Sequence, residues 1–212
     1  MQRENRRLAA IIAADIAGYS RLIGQDEEGT LRALRAHRNE FIDPLIAEHA
    51  GRIANTAGDS LLLEFSSAVD AVRYAIAFQE GMAERNADIG EDRRIVFSVG
   101  INVGDVVAEG NDLLGDGVNI AARLQEIGEA GDITLSDDAY RQIRMRLDAS
   151  FEERGAQKLK NIAESVEAWT WRTTRRRAPS PTADEPLPVP DKPSIAVLPF
   201  NNMSGEDRKS VV

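Results

Sequence analysis

Between Ile95 and Val103 every second residue is apolar: Ile95, Phe97, Val99, Ile101 and Val103 alternate strictly. Successive side chains on an extended backbone point to opposite faces, so this run predicts a half-buried strand with one face in a core. Such a strand needs partners beside it and an apolar layer against its inner face. The rest of the chain has to supply both.

Residues 8–14 form a short apolar run rich in Ala and Ile that stops at Asp15, which predicts a buried strand. From 26 to 50, Leu31, Leu34, Phe41, Leu45 and Ile46 fall at helical spacing. Pro44 interrupts this stretch. Asp43 as a cap and Pro44 as a first helical residue predict a second helix restarting there. Residues 52–54 and 61–65 predict two strands joined by a hairpin-like turn over 55–60. A helix follows over 67–85, with Ala68, Ala71, Val72, Ala75 and Ile76 on one face. After the alternating strand, Gly104-Asp105 predicts a turn into 106–108. A helix over 117–127, a strand over 133–135 and further strands within 151–171 complete the pattern. This order is the split βαβ arrangement of an α+β, ferredoxin-like antiparallel sheet with helices on one face.

Composition narrows the chemistry. Thirty-five acidic residues against 26 basic ones give a formal net charge of -9. Nucleic acid is held by surplus Lys and Arg, so no nucleic-acid partner is expected. There are no cysteines and only two histidines, His37 and His49, which rules out disulfides, thiolate metal sites and a multi-His zinc cage. A catalytic metal would have to sit on carboxylates, as Mg²⁺ or Mn²⁺ does. No stretch reaches the ~20 apolar residues of a membrane span. Arg3, Arg6 and Arg7 precede the first apolar run, but Asp15 ends it too early for a signal peptide, so a cytoplasmic location is expected.

Beyond Arg172 the character changes. Arg175, Arg176 and Arg177 form a basic run, and six of the eight prolines crowd between Pro179 and Pro193. The expected organisation is a domain over 1–172, an extended linker over 173–193, and the start of a second domain over 194–212 whose first element is an apolar strand at 194–200.

Several polar residues stand out. Asp15 ends an apolar strand, where an ionised group is costly unless paired or bound to metal; capping the next turn is the plainer role. Asp59 follows Gly58 in a turn, where Asp also serves local hydrogen bonding. Asn119 and Arg123 are four apart and share a helix face, as an exposed polar pair would. Asp112 precedes a glycine turn and Lys160 lies in a Lys-Leu-Lys-Asn stretch; both also read as solvated surface residues.

Taken together in this order, Ala14-Asp15-Ile16-Ala17-Gly18-Tyr19-Ser20, Gly58-Asp59, and the segment from Asn111 through Gly115, Val118 and Asn119 to Arg123 resemble three motifs of class III adenylate/guanylate cyclases. The resemblance implies that Asp15 and Asp59 hold two divalent cations, Mg²⁺ or Mn²⁺, for attack of a ribose 3′-hydroxyl on the α-phosphate of a nucleoside triphosphate. Backbone N–H groups of Ile16, Ala17, Gly18 and Tyr19 would cradle the triphosphate. Asn119 would position the ribose and Arg123 would stabilise the α-phosphate. Asp112 would accept from the adenine amine, and Lys160 would bind phosphate. Asn55 stands where adenylate cyclases of this kind usually carry a purine-reading lysine. Losing one charged hydrogen bond costs ~1.5–3 kcal/mol, about tenfold to a hundredfold. ATP is therefore the expected substrate, with GTP, or a cyclase-like binding module of low turnover, as alternatives. No Gly-Gly-Asp/Glu-Glu-Phe sequence is present, which argues against a diguanylate cyclase. In this family each site draws its metal-binding pair from one chain and its Asn, Arg and purine readers from another, so a homodimer with two equal sites is implied. The 194–200 segment resembles the entry into a TolB-like region.

Overall fold

The computed structural model describes residues 6–110 and 112–173. The strand expected at 194–200, the proline-rich linker and Asn111 lie outside the described residues. The chain begins with β1 (Arg6–Ile16), α1 (Tyr19–Gln25) and α2 (Glu27–His37), then a π-helical turn (Arg38–Ile42) and α3 (Asp43–Glu48). A hairpin of β2 (Arg52–Ala57) and β3 (Ser60–Phe65) leads into α4 (Ala68–Arg85). Next come β4 (Phe97–Glu109), β5 (Asp112–Leu114), α5 (Asp116–Ile127), β6 (Asp132–Ser136), α6 (Asp137–Ile143), β7 (Glu152–Gln157) and β8 (Val166–Arg172).

Among the described residues eight strands join one sheet in the order β2-β3-β1-β4-β6-β8-β7, with β5 folded back on β4. The α+β class and the packing of helices on a sheet match the expectation. Every pairing is antiparallel except β4 with β6, which is parallel. The helix α5 between those two strands is the crossover that a parallel pair requires.

Helices cover both faces, where one face was expected. Ala10, Ile12, Ala14 and Ile16 of β1 share a core with Phe97, Val99 and Ile101 of β4 and with Val72, Ala75 and Phe78 of α4. The intervening residues Ala9 and Ile11 pack on the other side with Val106, Leu113 and Ala121 of α5. The face of β4 that reads as open from sequence is the seat of α5. A Cβ on Gly100 would lie 2.1 Å from the Ala121 carbonyl oxygen, so only glycine lets the helix backbone approach this closely. On either side, Gln125 Nε2 donates to Ser98 Oγ (2.5 Å) and Asn102 Nδ2 to the Gly117 carbonyl (3.1 Å).

Three local expectations are corrected. Gly104-Asp105 is not a turn: Gly104 pairs with Ala9 and Asp105 with Leu8, and β4 runs on to Glu109 before turning at Gly110, whose φ is 62°. Asn55 lies in β2 and not in a turn, because the hairpin closes on Gly58-Asp59 alone, with Ala57 opposite Ser60. Asp43 is helical (φ -66°, ψ -42°) and caps nothing; the π-helical turn before it carries the chain into Pro44 without a break. Its carboxylate accepts instead from Arg38 Nε at 2.7 Å.

The β2–β3–β1 layer is tied by Glu64, which accepts from Arg7 Nε (2.7 Å), Arg7 Nη2 (2.9 Å) and Arg52 Nε (2.5 Å). Burial pushes the Glu64 carboxyl up, but the two guanidinium groups outweigh it and hold its pKa below the usual range.

Candidate active site

The antiparallel register brings the two acidic residues together. The last rung between β1 and β3 is Ala14 with Leu61, so Asp15 comes opposite Ser60 and the turn residue Asp59 follows. Ser60 Oγ donates to Asp15 Oδ1 at 2.7 Å. Gly58, with φ 63°, takes the left-handed first position of the two-residue turn and leaves Asp59 at its inner corner. The Asp59 carboxyl is raised above the ordinary value by burial, lowered by its own backbone N–H, and raised again by the charge of Asp15 and a hydrogen bond with it. Neighbouring carboxylates repel when both are ionised, and a divalent cation bound by both removes that repulsion.

Among the described residues no cluster of three or more His, Cys, Asp or Glu side chains could hold a metal. The carboxylate pair still fits a hard cation. Mg²⁺ is commonly held by one or two carboxylates with substrate phosphates completing its shell. Ala17 N–H donates to the Val96 carbonyl at 2.8 Å, on the β4 side of β1. Peptide groups alternate sides along a strand, so those of Ile16 face the β3 side, where Asp59 lies.

Of the four backbone N–H groups expected to cradle a triphosphate, one, that of Ala17, already has a partner in the sheet. Gly18 is left-handed (φ 71°, ψ 30°) and stands at the N-terminus of α1, with Tyr19 as its first residue. The Gly18 carbonyl accepts from Arg21 and Leu22 at 3.0 and 3.2 Å, which closes the first turn. The Tyr19 ring packs against the main core.

A second group forms between β2 and β5. A register shift between Ile53 and Asn55 turns Asn55 toward β5, where its Nδ2 donates to Asp112 Oδ1 at 3.3 Å. The same oxygen accepts from Leu113 N–H at 2.9 Å. Asn119 and Arg123 lie on α5, whose sheet-facing positions are Gly117, Ala121 and Leu124. Four residues apart, the pair points away from the sheet, and Asn119 is exposed. Arg123 is ion-paired through Nη1 with Glu126 Oε1.

Among the described residues no hydrogen bond or ion pair joins Asp15 or Asp59 to Asn119, Arg123, Asn55 or Asp112. Lys160 is exposed in the turn between β7 and β8, beside Asn161 at φ 61°, and no such bond ties it to either group. The structure thus brings Asp15 with Asp59 and Asn55 with Asp112, and leaves Lys160 apart. Sequence reasoning missed Ser60 and Glu126. The first follows Asp59 directly; the second lies one helical turn past Arg123.

Comparisons with known proteins identify the family. A sequence profile of the adenylate and guanylate cyclase catalytic domain matches residues 1–172. A protein of Rhizobium meliloti (strain 1021) named "Putative adenylate cyclase 3" is 47% identical over 203 residues, which make up 95% of this chain and 35% of that protein. An adenylate cyclase of Streptomyces coelicolor is 33% identical over 142 residues, 67% of this chain and 35% of its own length. The chain therefore spans about a third of the length of these relatives. A solved adenylate/guanylate cyclase/hydrolase from Silicibacter pomeroyi superimposes with a TM-score of 0.76 at 43% identity, covering 80% of this chain and 98% of that one. The adenylyl cyclase CyaB from P. aeruginosa shares the fold, with a TM-score of 0.69 at 23% identity over 81% of this chain and 97% of that one. On profile, identity and fold alike, the chain belongs to the adenylate and guanylate cyclase catalytic domain family.

Proposed function

We propose that the chain is an adenylate cyclase that works as a homodimer, converting ATP to 3′,5′-cyclic AMP and pyrophosphate with two divalent cations. The observation that carries this reading is the Asp15 and Asp59 carboxylates brought together at one hairpin, with no hydrogen bond or ion pair among the described residues joining them to the outward-facing Asn119 and Arg123. One chain holds both halves of a site that it does not close by itself. A second copy related by a twofold axis would apply its α5 face to the Asp15–Asp59 corner and complete two equal sites.

In the reaction the 3′-oxygen bonds to the α-phosphorus, its proton leaves to solvent, and the bond to the β-phosphate breaks to release pyrophosphate. Asp15 and Asp59 would hold the divalent cations, which would supply charge neutralisation for the displacement. Asn119 hydrogen-bonds the ribose and fixes the direction of attack. Arg123 donates to α-phosphate oxygens whose charge grows in the transition state, and a guanidinium keeps its charge at any working pH. Asp112 accepts from the adenine amine with the oxygen not occupied by Asn55 and Leu113. Gly18 and Tyr19 offer the N–H groups nearest the phosphates.

A second reading rests on Asn55. It brings no charge to the purine, and its amide already binds Asp112, as in a nucleotide-binding dimer of weak turnover or one that takes GTP. The deciding experiment incubates the protein with ATP or GTP and Mg²⁺ or Mn²⁺ and follows cyclic product. Cyclic AMP from the native chain, lost in both Asp15→Ala and Arg123→Ala, is the expected result. No product from either nucleotide, with binding retained, would replace the enzyme by the binding module.

A further inference from the structure

At 100° per residue, Asn119, Arg123 and Glu126 fall within about 60° of one another on the side of α5 opposite Gly117, Ala121 and Leu124. Glu126 therefore shares the helix face assigned to ribose and phosphate contacts. It pairs with Arg123 through a single nitrogen, Nη1. Five N–H donors sit on a guanidinium, and the edge made by Nε and Nη2 is the fork that grips two oxygens of one phosphate. In this structure that edge has no hydrogen-bond partner among the described residues, while the opposite corner is anchored. The Arg123 side chain is 28% exposed and that of Glu126 51% exposed.

We propose that Glu126 is a positioning residue for Arg123. It holds the guanidinium by Nη1 and presents the Nε–Nη2 edge to the α-phosphate, on the reading that the chain is a cyclase. A long, unanchored arginine samples many rotamers, and each must be given up as charge develops on the phosphate. An anchored one is already in place, and transition-state stabilisation gains most from donors that need not reorganise. Because ground-state binding of the triphosphate relies on other groups, removal of Glu126 acts on turnover and leaves substrate affinity nearly intact. Glutamine at this position keeps the acceptor oxygen and loses only the charge.

The test uses the full chain with ATP and Mn²⁺, comparing native protein with Glu126→Ala and Glu126→Gln by initial rates over a range of ATP. Expected is about a tenfold fall in kcat for Glu126→Ala at unchanged KM, with Glu126→Gln restoring most of it. Thermal melting of both variants should match the native protein, since an exposed ion pair adds little to stability. Turnover by Glu126→Ala equal to or above native overturns the proposal and makes the pair an idle surface contact. A change confined to KM overturns it as well. If the native chain makes no cyclic product, both this role and the cyclase reading are lost, whereas an active native chain with an unaffected Glu126→Ala loses the role alone.

Discussion

Asp59 is a carboxylate that the fold holds at a disadvantage. Burial and the charge of Asp15 lift its pKa above 3.8, although its own backbone N–H pulls the other way. A raised acid pKa means that the native state binds the proton more tightly than the unfolded chain. Its stabilising contribution is complete below the unfolded value and is lost as pH rises through the folded one. With a chelator present, Asp59→Asn should therefore melt above the native protein at neutral pH. The gap should close as the solution is acidified below the ordinary aspartate value. Mn²⁺ should raise the melting temperature of the native protein and leave Asp59→Asn unchanged, because only a cation-binding native state gains from the ion. A variant melting at or below native in chelator would show that the two carboxylates do not oppose each other. The sequence displays Asp15 and Asp59 only as a strand end and a turn. Their meeting depends on hairpin register, set by Ala57 opposite Ser60. Ser60 escaped notice because a serine after a tight turn fits too many roles to single out.

Among the elements, α5 has the most specific seat. Its backbone lies against Gly100, and a methyl group there would sit 2.1 Å from a helix carbonyl and 2.3 Å from the Gln125 nitrogen. Gly100→Ala should push α5 off the sheet and cost about 1–3 kcal/mol, read as a lower urea midpoint at unchanged slope. Gly24→Ala is the matched control: nothing lies within 4 Å of the added carbon in α1, so it should be neutral or stabilising. Equal midpoints for the two variants would refute the seat. This helix also marks where sequence reading fell short. The alternation from Ile95 to Val103 marks β4 and its apolar face, although the strand itself runs from Phe97 to Glu109. Ser98, Gly100 and Asn102 read as a wet face because small and polar residues serve equally well under water or under a helix backbone. Periodicity reports which residues are apolar, not what lies on them. Likewise, Gly104-Asp105 looked like a turn because the pair has turn chemistry, yet β1 offers both residues a strand partner.

For the whole molecule, the homodimer reading makes a quantitative statement. If Asp15 of one copy serves Arg123 of another, mixing Asp15→Ala with Arg123→Ala chains creates heterodimers with one intact site and one doubly defective site. Random pairing makes half of all dimers heterodimers, so about a quarter of native activity should return from two inactive proteins. Absence of recovery, with heterodimers verified by differential tagging, would place the site within one chain. The strand β1 has another consequence, at the ribosome. It sits between β3 and β4, and Arg6 through Ile16 find their β4 partners only at Val107 through Phe97. Some 90 residues must be made in between, roughly 5–20 s of synthesis at 5–20 residues per second. Throughout that interval this apolar strand has at most one edge covered, which makes β1 the natural client of a chaperone during translation.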